Sequence, residues 1–438
     1  MLQFRKNRPE TETKARSKPQ WGRSGVFVVA RKYIPKRTSA CHFESMHSDL
    51  SKISNTSLSR RSLLRGSVAM AAYALAARPL SAFGLEPALG EVSMPFLDIQ
   101  PVGKMLYWQK LANWITPNAD LYEVSHYGRP KVDLASWKLD FSGYLKKPRS
   151  FTLAQLQTRR HKTVTATLEC GGNGSSLAFC GAIGNIRWTG TPLGPLLREL
   201  GLSNRSQEFV FYGADEKVEK IRDKDYPQHF ARSLPREHAL QDEILLAWAM
   251  NGQPLDEMHG SPLRLIVPGW FGISWVKWLT RIEVLDRRFM GKWMAREYVT
   301  IRGEDRTDGT TNWQETSVCN MNVKSVAARC VRRTDGSLRI SGAAWSDGTP
   351  IQRVEVRIDD GPWQPARIER KPENARFTWS FWRFDWNNPP AGEHTFVSRA
   401  IDADGRMQPA PDDPSIKNKR TYWDANQQWV RRVRVGTT

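Results

Sequence analysis

The distribution of apolar and polar residues along the chain changes near residue 316. Before that point, alternating or continuous apolar segments typical of strands are interspersed with short segments of helical periodicity. After it, short alternating stretches such as "SLRISGAAW" and "RVEVRIDDGPW" follow one another with turn residues between them. Regular short strands of this kind are typical of a β-sandwich. We therefore predict an α+β fold, with a mixed α/β domain over 83–315 and a β-sandwich over 316–438.

Two helices of the first domain are predicted from the residues at their ends. The segment "TLAQLQT" opens on Thr152, whose hydroxyl can cap a helix N-terminus. The segment "TPLGPLLRELGL" has Pro192 near its start and Gly201 at its end, the order expected for these residues in a helix. Strands are predicted for "WKLDFSGYL", "EFVFYGAD" and "PLRLIVPGW", and an extended, irregular lead-in for 83–120.

A cysteine lies where another predicted strand breaks into a glycine-rich turn. In "TVTATLECGGNG", the β-branched and apolar run ends at Cys170, and Gly171, Gly172 and Gly174 follow. Glycines let the backbone approach a ligand closely or turn at positive φ. Considered by itself, Cys170 is either a small buried thiol or a thiolate ligand of a soft metal. The glycines match neither the dinucleotide-binding nor the P-loop pattern, so no nucleotide site is predicted.

The positive charge of the chain is concentrated at its N-terminus. The net charge is +20, and 1–82 contributes +12 of it, with 16 Lys and Arg against 4 Asp and Glu. Within this segment, Arg60 and Arg61 precede an uncharged run of 12 small or apolar residues and then "PLSA". This is the layout of a twin-arginine export signal. The run is shorter than the roughly 20 residues of a transmembrane helix, which disfavours the alternative of an uncleaved anchor.

The signal peptide is predicted over 46–82, starting at Met46. Residues 1–45 are polar, basic and without pattern, and we expect them to be disordered or not part of the true protein. Twin-arginine export carries folded proteins. The location predicted for the mature chain is therefore periplasmic, or otherwise extracytoplasmic, and a buried prosthetic group is expected.

Composition outside the leader excludes several classes of protein. Without long basic runs, the residual positive charge favours an ordinary enzyme over a nucleic-acid-binding protein. The five cysteines include Cys41 in the leader, which leaves too few for a disulfide scaffold. Cys319 and Cys330 either pair or are free thiols. The chain contains no Cys-x-x-Cys-His motif, so no c-type haem is predicted in it.

Seven blocks of the chain resemble, in order and approximate spacing, the molybdenum-containing sulfite oxidase family. The resemblance covers 110–438 and rests on "ITPNADLYEVSHYG", "TATLECGGNG", "GAIGNIRWTGTPL", "HGSPLRLIVPGW", "VKWLTRIEV", "KWMAREY" and "AAWSDG…RVEVRIDDGPW". It implies a molybdopterin-binding domain over 83–315 and an immunoglobulin-like β-sandwich dimerisation domain over 316–438. A homodimer is the corresponding expectation.

The resemblance also implies the site residues. Cys170 matches the thiolate that binds molybdenum beside the dithiolene of one molybdopterin, and Tyr298 matches the active-site tyrosine. Five further positions match cofactor-binding residues: two phosphate-binding cations, two pterin-contacting histidines and one carboxylate. They are Arg264, Lys277, His259, His126 and Asp215.

The implied reaction is oxidation of sulfite to sulfate by oxo transfer at molybdenum. The two electrons would pass singly to an external cytochrome c, because no haem is expected in this chain. The implied substrate is a small anionic sulfur compound, and neither nucleic acid nor a stable membrane span is expected.

The substrate half of the family pattern is altered. The sulfite-binding arginine corresponds here to Val124, a second arginine to Ser175, and a third is absent from "AWSDGTP". Arg187, Arg222, Arg232 or Arg296 could replace them. Two enzymatic hypotheses therefore stay open: a sulfite dehydrogenase with a rearranged anion pocket, and a molybdenum oxotransferase for another sulfur oxyanion, a carrier-bound sulfur or an S-oxide. A cofactor-free binding protein is the third.

Overall fold

The computed structural model describes residues 85–98, 101, 103–369 and 375–436. The predicted export signal and the segment before it lie outside these residues. Strands dominate the described part, and the longest of its α-helices has 8 residues. No helix within these ranges has the length and apolar character needed to cross a membrane.

The helices are short and connect strands. They are α1 (Leu153–Gln157), α2 (Leu193–Leu200), α3 (Arg236–Ala239), α4 (Lys292–Ala295) and α5 (Pro414–Lys417). The two helices predicted from their ends are confirmed. Thr152 caps α1 by accepting a hydrogen bond from the Gln155 backbone N–H, and Gly201 ends α2 at a φ of 76°.

Twenty strands are present in the described ranges. Those of the first part of the chain are β1 (Val92–Met94), β2 (Leu139–Gly143), β3 (Arg149–Phe151), β4 (Lys162–Glu169), β5 (Ile183–Pro192), β6 (Glu208–Ile221), β7 (Lys224–Pro235), β8 (Leu245–Met250), β9 (Gln253–Pro254), β10 (Arg264–Ile266), β11 (Leu279–Leu285), β12 (Val299–Asp305) and β13 (Thr311–Ser317). The others are β14 (Lys324–Arg332), β15 (Leu338–Trp345), β16 (Ile351–Ile358), β17 (Gln364–Ile368), β18 (Ser380–Trp386), β19 (Gly392–Asp402) and β20 (Val430–Val435).

Two five-stranded sheets and a hairpin make up the first part of the fold. One sheet has the order β10-β8-β5-β4, with β9 paired to β8, and the other has the order β3-β2-β11-β6-β7. Strands β12 and β13 pair only with each other among the described strands. The predicted strand before Cys170 is β4, and it pairs antiparallel with β5 from Lys162 to Glu169.

The last seven strands and β1 form one eight-stranded sheet, in the order β1-β14-β15-β18-β17-β16-β19-β20. Strand β17 pairs with both β18 and β16. Residues from β14, β15 and β18 share a core with residues from β16, β19 and β20, so the two halves of the sheet face each other as in a sandwich. The lead-in predicted to be irregular therefore includes a strand, since Val92–Met94 extends this sheet.

Two hydrophobic clusters correspond to these two parts. The larger one contains the sheets of the first part, Cys170 and Tyr298, and it also includes Trp345 and Trp379 from the second. The smaller one lies inside the sandwich around Trp382 and Phe396. The large shared cluster means that residues of the C-terminal half help to shape the surroundings of Cys170. Cys319 and Cys330 are both free thiols in the structure.

Candidate active site

Cys170 is the first residue after β4, at the start of a tight turn. Its backbone N–H donates to the Ala182 carbonyl at 2.9 Å, and its carbonyl accepts from the Asn173 N–H at 2.9 Å. The side chain is buried, and burial raises the pKa of the thiol to about 11. Because a metal ligand must be the thiolate, a bound metal would have to displace this proton.

The glycines after Cys170 allow aromatic residues to pack onto the turn. A Cβ on Gly171 would lie 3.4 Å from the Tyr298 ring, and one on Gly172 would lie 3.3 Å from the Tyr422 ring. Gly174 has a φ of +95°, and its Cβ would lie 2.8 Å from Trp429. The glycine-rich sequence therefore serves both backbone conformation and close packing around the cysteine.

A buried ion pair stabilises the same turn at the end of β4. The Lys324 ammonium lies 2.6 Å from a carboxylate oxygen of Glu169, and both side chains are at most 1% exposed. Glu169 also accepts hydrogen bonds from the Asn173 amide at 2.9 Å and from the Trp345 indole at 2.8 Å. Lys324 donates in addition to the Asn173 carbonyl at 3.1 Å. Two strands of the sandwich thereby contact the end of β4 at the residue before Cys170.

A cavity opens beside Cys170. It is lined by residues from segments that are far apart in the sequence, and all seven site residues expected from the resemblance are among them. These are His126, Cys170, Asp215, His259, Arg264, Lys277 and Tyr298.

Arg264 and Lys277 supply positive charge to the cavity. Arg264, the first residue of β10, is buried and donates to the carbonyls of His259 at 3.0 Å and Trp275 at 3.2 Å. The Lys277 ammonium donates to the Met258 carbonyl at 2.9 Å. Burial, and next the charge of Arg264, lower the pKa of Lys277 to about 7. An anion placed between these two side chains would relieve that repulsion.

Three buried polar atoms of cavity residues have no hydrogen-bond partner among the described residues. They are Nε2 of His259, Oδ1 of Asp215 and Nε of Arg264. The other ring nitrogen of His259 is 2.8 Å from Asp256, which orients the imidazole. Burial raises the pKa of Asp215 to about 6. Buried polar groups are nearly always paired in native proteins, so these atoms fit a polar ligand such as a pterin with its phosphate.

Tyr298 and His126 form a pair at the cavity wall. The Tyr298 hydroxyl and His126 Nε2 are 3.0 Å apart, and the imidazole stacks against Trp293 and Phe230, which also contact each other. Burial lowers the pKa of His126 to about 4, so the ring is neutral near pH 7. His126, expected to contact a pterin, therefore also holds the tyrosine hydroxyl in place.

The described residues contain no group of three or more His, Cys, Asp and Glu side chains arranged for a metal ion. A metal bound by Cys170 would therefore need further ligands from outside such a group of side chains. The soft thiolate, the nearby cations and the unpartnered polar atoms all fit a molybdenum–molybdopterin group.

The substrate end of the cavity is less cationic than the family pattern implies. Val124 lines the cavity, whereas Ser175 is exposed on the turn and is not a lining residue. In "AWSDGTP", Asp347 pairs with Arg406 at 2.9 Å, away from the cavity lining. Val124 is thus the altered position that borders the reacting volume.

None of the four arginines considered as replacements lines the cavity. Arg187 and Arg296 are exposed, and Arg222 is exposed at the β6–β7 turn. Arg232 is 1% exposed and donates to the carbonyls of Trp293 and Val318. Among the described lining residues, Arg264 and Lys277 are the only arginine and lysine.

The sequence interpretation missed several lining residues, of which Tyr122 and Ser125 carry hydroxyls. Tyr122, Val124, Ser125 and His126 all line the cavity, although the structure assigns no strand to this stretch. The proximity of Tyr122 in sequence to His126 is the signal that could have identified it.

Two protein families match the chain. Residues 126–293 match the family described as "Oxidoreductase molybdopterin binding domain", and residues 311–433 match "Mo-co oxidoreductase dimerisation domain". The match with the first family extends from His126 to Trp293 and therefore includes Cys170 and both cavity cations.

Similar proteins of known name come from animals, plants and bacteria. The mitochondrial sulfite oxidase of Drosophila melanogaster is 30% identical over 72% of this chain and 58% of that protein. The sulfite oxidase of Arabidopsis thaliana is 25% identical over 73% of this chain and 88% of that protein. The solved sulfane dehydrogenase SoxCD from Paracoccus pantotrophus superimposes with a TM-score of 0.62 at 26% identity, covering 79% of this chain and 91% of the other. The chain spans 57–58% of the length of the mammalian and insect mitochondrial relatives.

Proposed function

Since the chain belongs to the sulfite oxidase family of molybdopterin oxidoreductases, we propose that it is a molybdenum-dependent enzyme that oxidises a sulfur compound and passes the electrons to an external cytochrome c. The observation that carries this proposal is the convergence of Cys170, Tyr298 and the five cofactor-binding residues on one cavity. Export through the twin-arginine route and homodimerisation are parts of the same proposal.

The cavity residues would each have a distinct role. Cys170 would bind the metal as a thiolate, and Arg264 and Lys277 would hold the phosphate of the pterin. Buried His259 and Asp215 would orient the pterin ring through their unpartnered atoms. When bound, the molybdenum cofactor supplies oxygen-atom transfer and two-electron redox chemistry. Tyr298, positioned by His126 at 3.0 Å, would donate a hydrogen bond to an oxygen of the reactant.

Sulfite is the first substrate candidate, because the named function of several relatives is sulfite oxidation. A second candidate is a sulfur substrate of lower charge, such as a carrier-bound sulfane. It is favoured by the absence of a third cation among the described lining residues and by likeness to the sulfane dehydrogenase structure. A dianion depends more on cationic donors than a thiol-bound sulfur does, because hydrogen bonds to charged groups are about twice as strong as neutral ones.

The test is sulfite-dependent reduction of cytochrome c by purified, molybdenum-loaded protein. Wild-type protein is expected to turn over, and Cys170→Ser to lose both molybdenum and turnover, because a serine hydroxyl is a poor ligand for a soft metal site. Cys330→Ser is the matched control: Cys330 is a buried thiol within the sandwich core, so this variant should retain molybdenum.

The outcomes distinguish the substrates. Turnover with sulfite supports the first candidate, and turnover only with a persulfidated cysteine peptide supports the second. If Cys170→Ser and Cys330→Ser both retain molybdenum, the assignment of Cys170 as the ligand is contradicted. Fully metallated protein that oxidises neither compound would contradict a sulfur-oxidising function.

A further inference from the structure

Tyr122 is a buried phenol in the cavity that the proposed mechanism does not use. It follows a short 3-10 turn, Asn118–Asp120, and its side chain is 7% exposed. Its ring lines the same cavity as Cys170 and Tyr298. No hydrogen bond joins its hydroxyl to any residue that the structure describes. The oxygen is not one of the fully buried side-chain atoms without a partner, so it is accessible from the cavity and free to donate to a ligand there.

The space around this hydroxyl lies next to the end of β4. A Cβ on Gly272 would lie 3.0 Å from the Tyr122 oxygen and 3.1 Å from the Glu169 carbonyl. Any larger residue at position 272 would therefore crowd the hydroxyl. The lack of a side chain at Gly272 leaves Tyr122 room beside the residue that precedes Cys170.

The two phenols of the cavity differ in their partners. The Tyr298 hydroxyl is already bonded to His126 at 3.0 Å, whereas that of Tyr122 is free of such a contact in the described structure. Burial, and next the charge of an ionised Cys170, raise the pKa of Tyr122 well above its usual value. Tyr122 therefore keeps its proton and can act as a hydrogen-bond donor at any ordinary pH.

A neutral hydrogen-bond donor such as Tyr122 is also consistent with the missing cation at this part of the cavity. Val124 stands at the position where the family pattern has an arginine, and it is two residues from Tyr122 on the same stretch. Both side chains line the cavity. The stretch thus presents a phenol and an apolar group where the pattern implies a cation.

We propose that Tyr122 is a second catalytic phenol, which donates a hydrogen bond to an oxygen of the reactant beside the Cys170 thiol. This inference rests on the proposed function, because it places the sulfur substrate and its oxygen at that cavity. Tyr122 would position the reactant oxygen, a role that the arginine of the family pattern would have and that Val124 cannot perform.

The experiment compares wild type, Tyr122→Phe and Tyr144→Phe, each loaded with molybdenum and checked for metal content. Tyr144 is the matched control, because its hydroxyl accepts from Arg205 at 2.6 Å outside the cavity. The first measurement is kcat/KM with sulfite and with a persulfidated cysteine peptide. The second is the electron paramagnetic resonance spectrum of metal half-reduced with dithionite, recorded in H2O and D2O, which needs no substrate.

Loss of the hydroxyl is expected to lower kcat/KM about tenfold to a hundredfold, the usual effect of one hydrogen bond to a charged group. The metal content should be unchanged, and the exchangeable-proton coupling should be altered only in Tyr122→Phe. The proposal is overturned if Tyr122→Phe differs from wild type in only one of the two measurements, or in neither. If wild type itself oxidises neither compound, the proposed function fails, and the spectra alone decide whether Tyr122 reaches the metal site.

Discussion

Lys277 is the cavity residue whose charge is most sensitive to pH near neutrality. Its pKa is lowered to about 7, mainly by burial and next by Arg264, so the side chain loses its proton as the pH rises through 7. Phosphate-like anions require the ammonium form. We therefore expect sulfate, whose charge is constant over this range, to bind cofactor-free protein about tenfold more weakly at pH 8 than at pH 6. Isothermal titration calorimetry measures this difference.

Lys277→Arg provides the control for this titration, because a guanidinium stays protonated throughout the range. Its sulfate affinity should change little between pH 6 and pH 8. Equal pH dependence in wild type and Lys277→Arg would show that another group is responsible. If the sulfate affinity of the wild type does not change between pH 6 and pH 8, Lys277 stays charged without a ligand.

At the scale of elements, the turn that presents Cys170 depends on a strand from the other half of the fold. Lys324 on β14 is paired with Glu169 at 2.6 Å, and neither is accessible to solvent. Lys324→Met would leave the Glu169 charge buried without its partner. Breaking a buried pair in this way typically costs about 3–5 kcal/mol, and we expect a loss of that size in the free energy of unfolding of cofactor-free protein, measured with urea.

Two further variants test whether the loss of stability comes from breaking the ion pair and not from removing a lysine. Lys131→Met, which removes an exposed lysine, should change the free energy of unfolding by less than about 0.5 kcal/mol. The double variant Lys324→Met with Glu169→Gln should recover part of the loss, because no unpaired charge is left. Equal stability of Lys324→Met and wild type would refute a structural role for this pair.

For the molecule as a whole, the match of 311–433 with a dimerisation domain predicts a homodimer. The sandwich has its own hydrophobic core, which is separate from the core around Cys170. Dimerisation should therefore not depend on the cofactor. Sedimentation equilibrium at micromolar concentration should yield twice the chain mass for both molybdenum-loaded and cofactor-free protein. A single-chain mass in both states would contradict the homodimer, and a dimer only with metal would contradict its independence from the cavity.

Much of the fold and of the site could be predicted from the sequence, because it depends on local residue patterns and on the seven blocks that resemble the family. The apolar run before Cys170, Thr152 before α1 and Gly201 after α2 marked elements that the structure contains. The seven site residues were identified by resemblance, and all of them line one cavity. Their types alone could not have shown this, because a lone cysteine or lysine has many ordinary structural roles.

The tertiary structure decided what depends on residues that are distant in sequence. The Lys324–Glu169 pair joins positions 155 residues apart, and the Tyr298–His126 pair joins positions 172 residues apart. No local pattern relates such partners, because their proximity is produced by the packing of whole sheets. The same holds for the four candidate arginines, whose exposure or burial away from the cavity follows from the path of the folded chain. The sequence by itself thus determined the element types and the chemistry available, whereas only folding determined which charges and hydroxyls face the reacting volume.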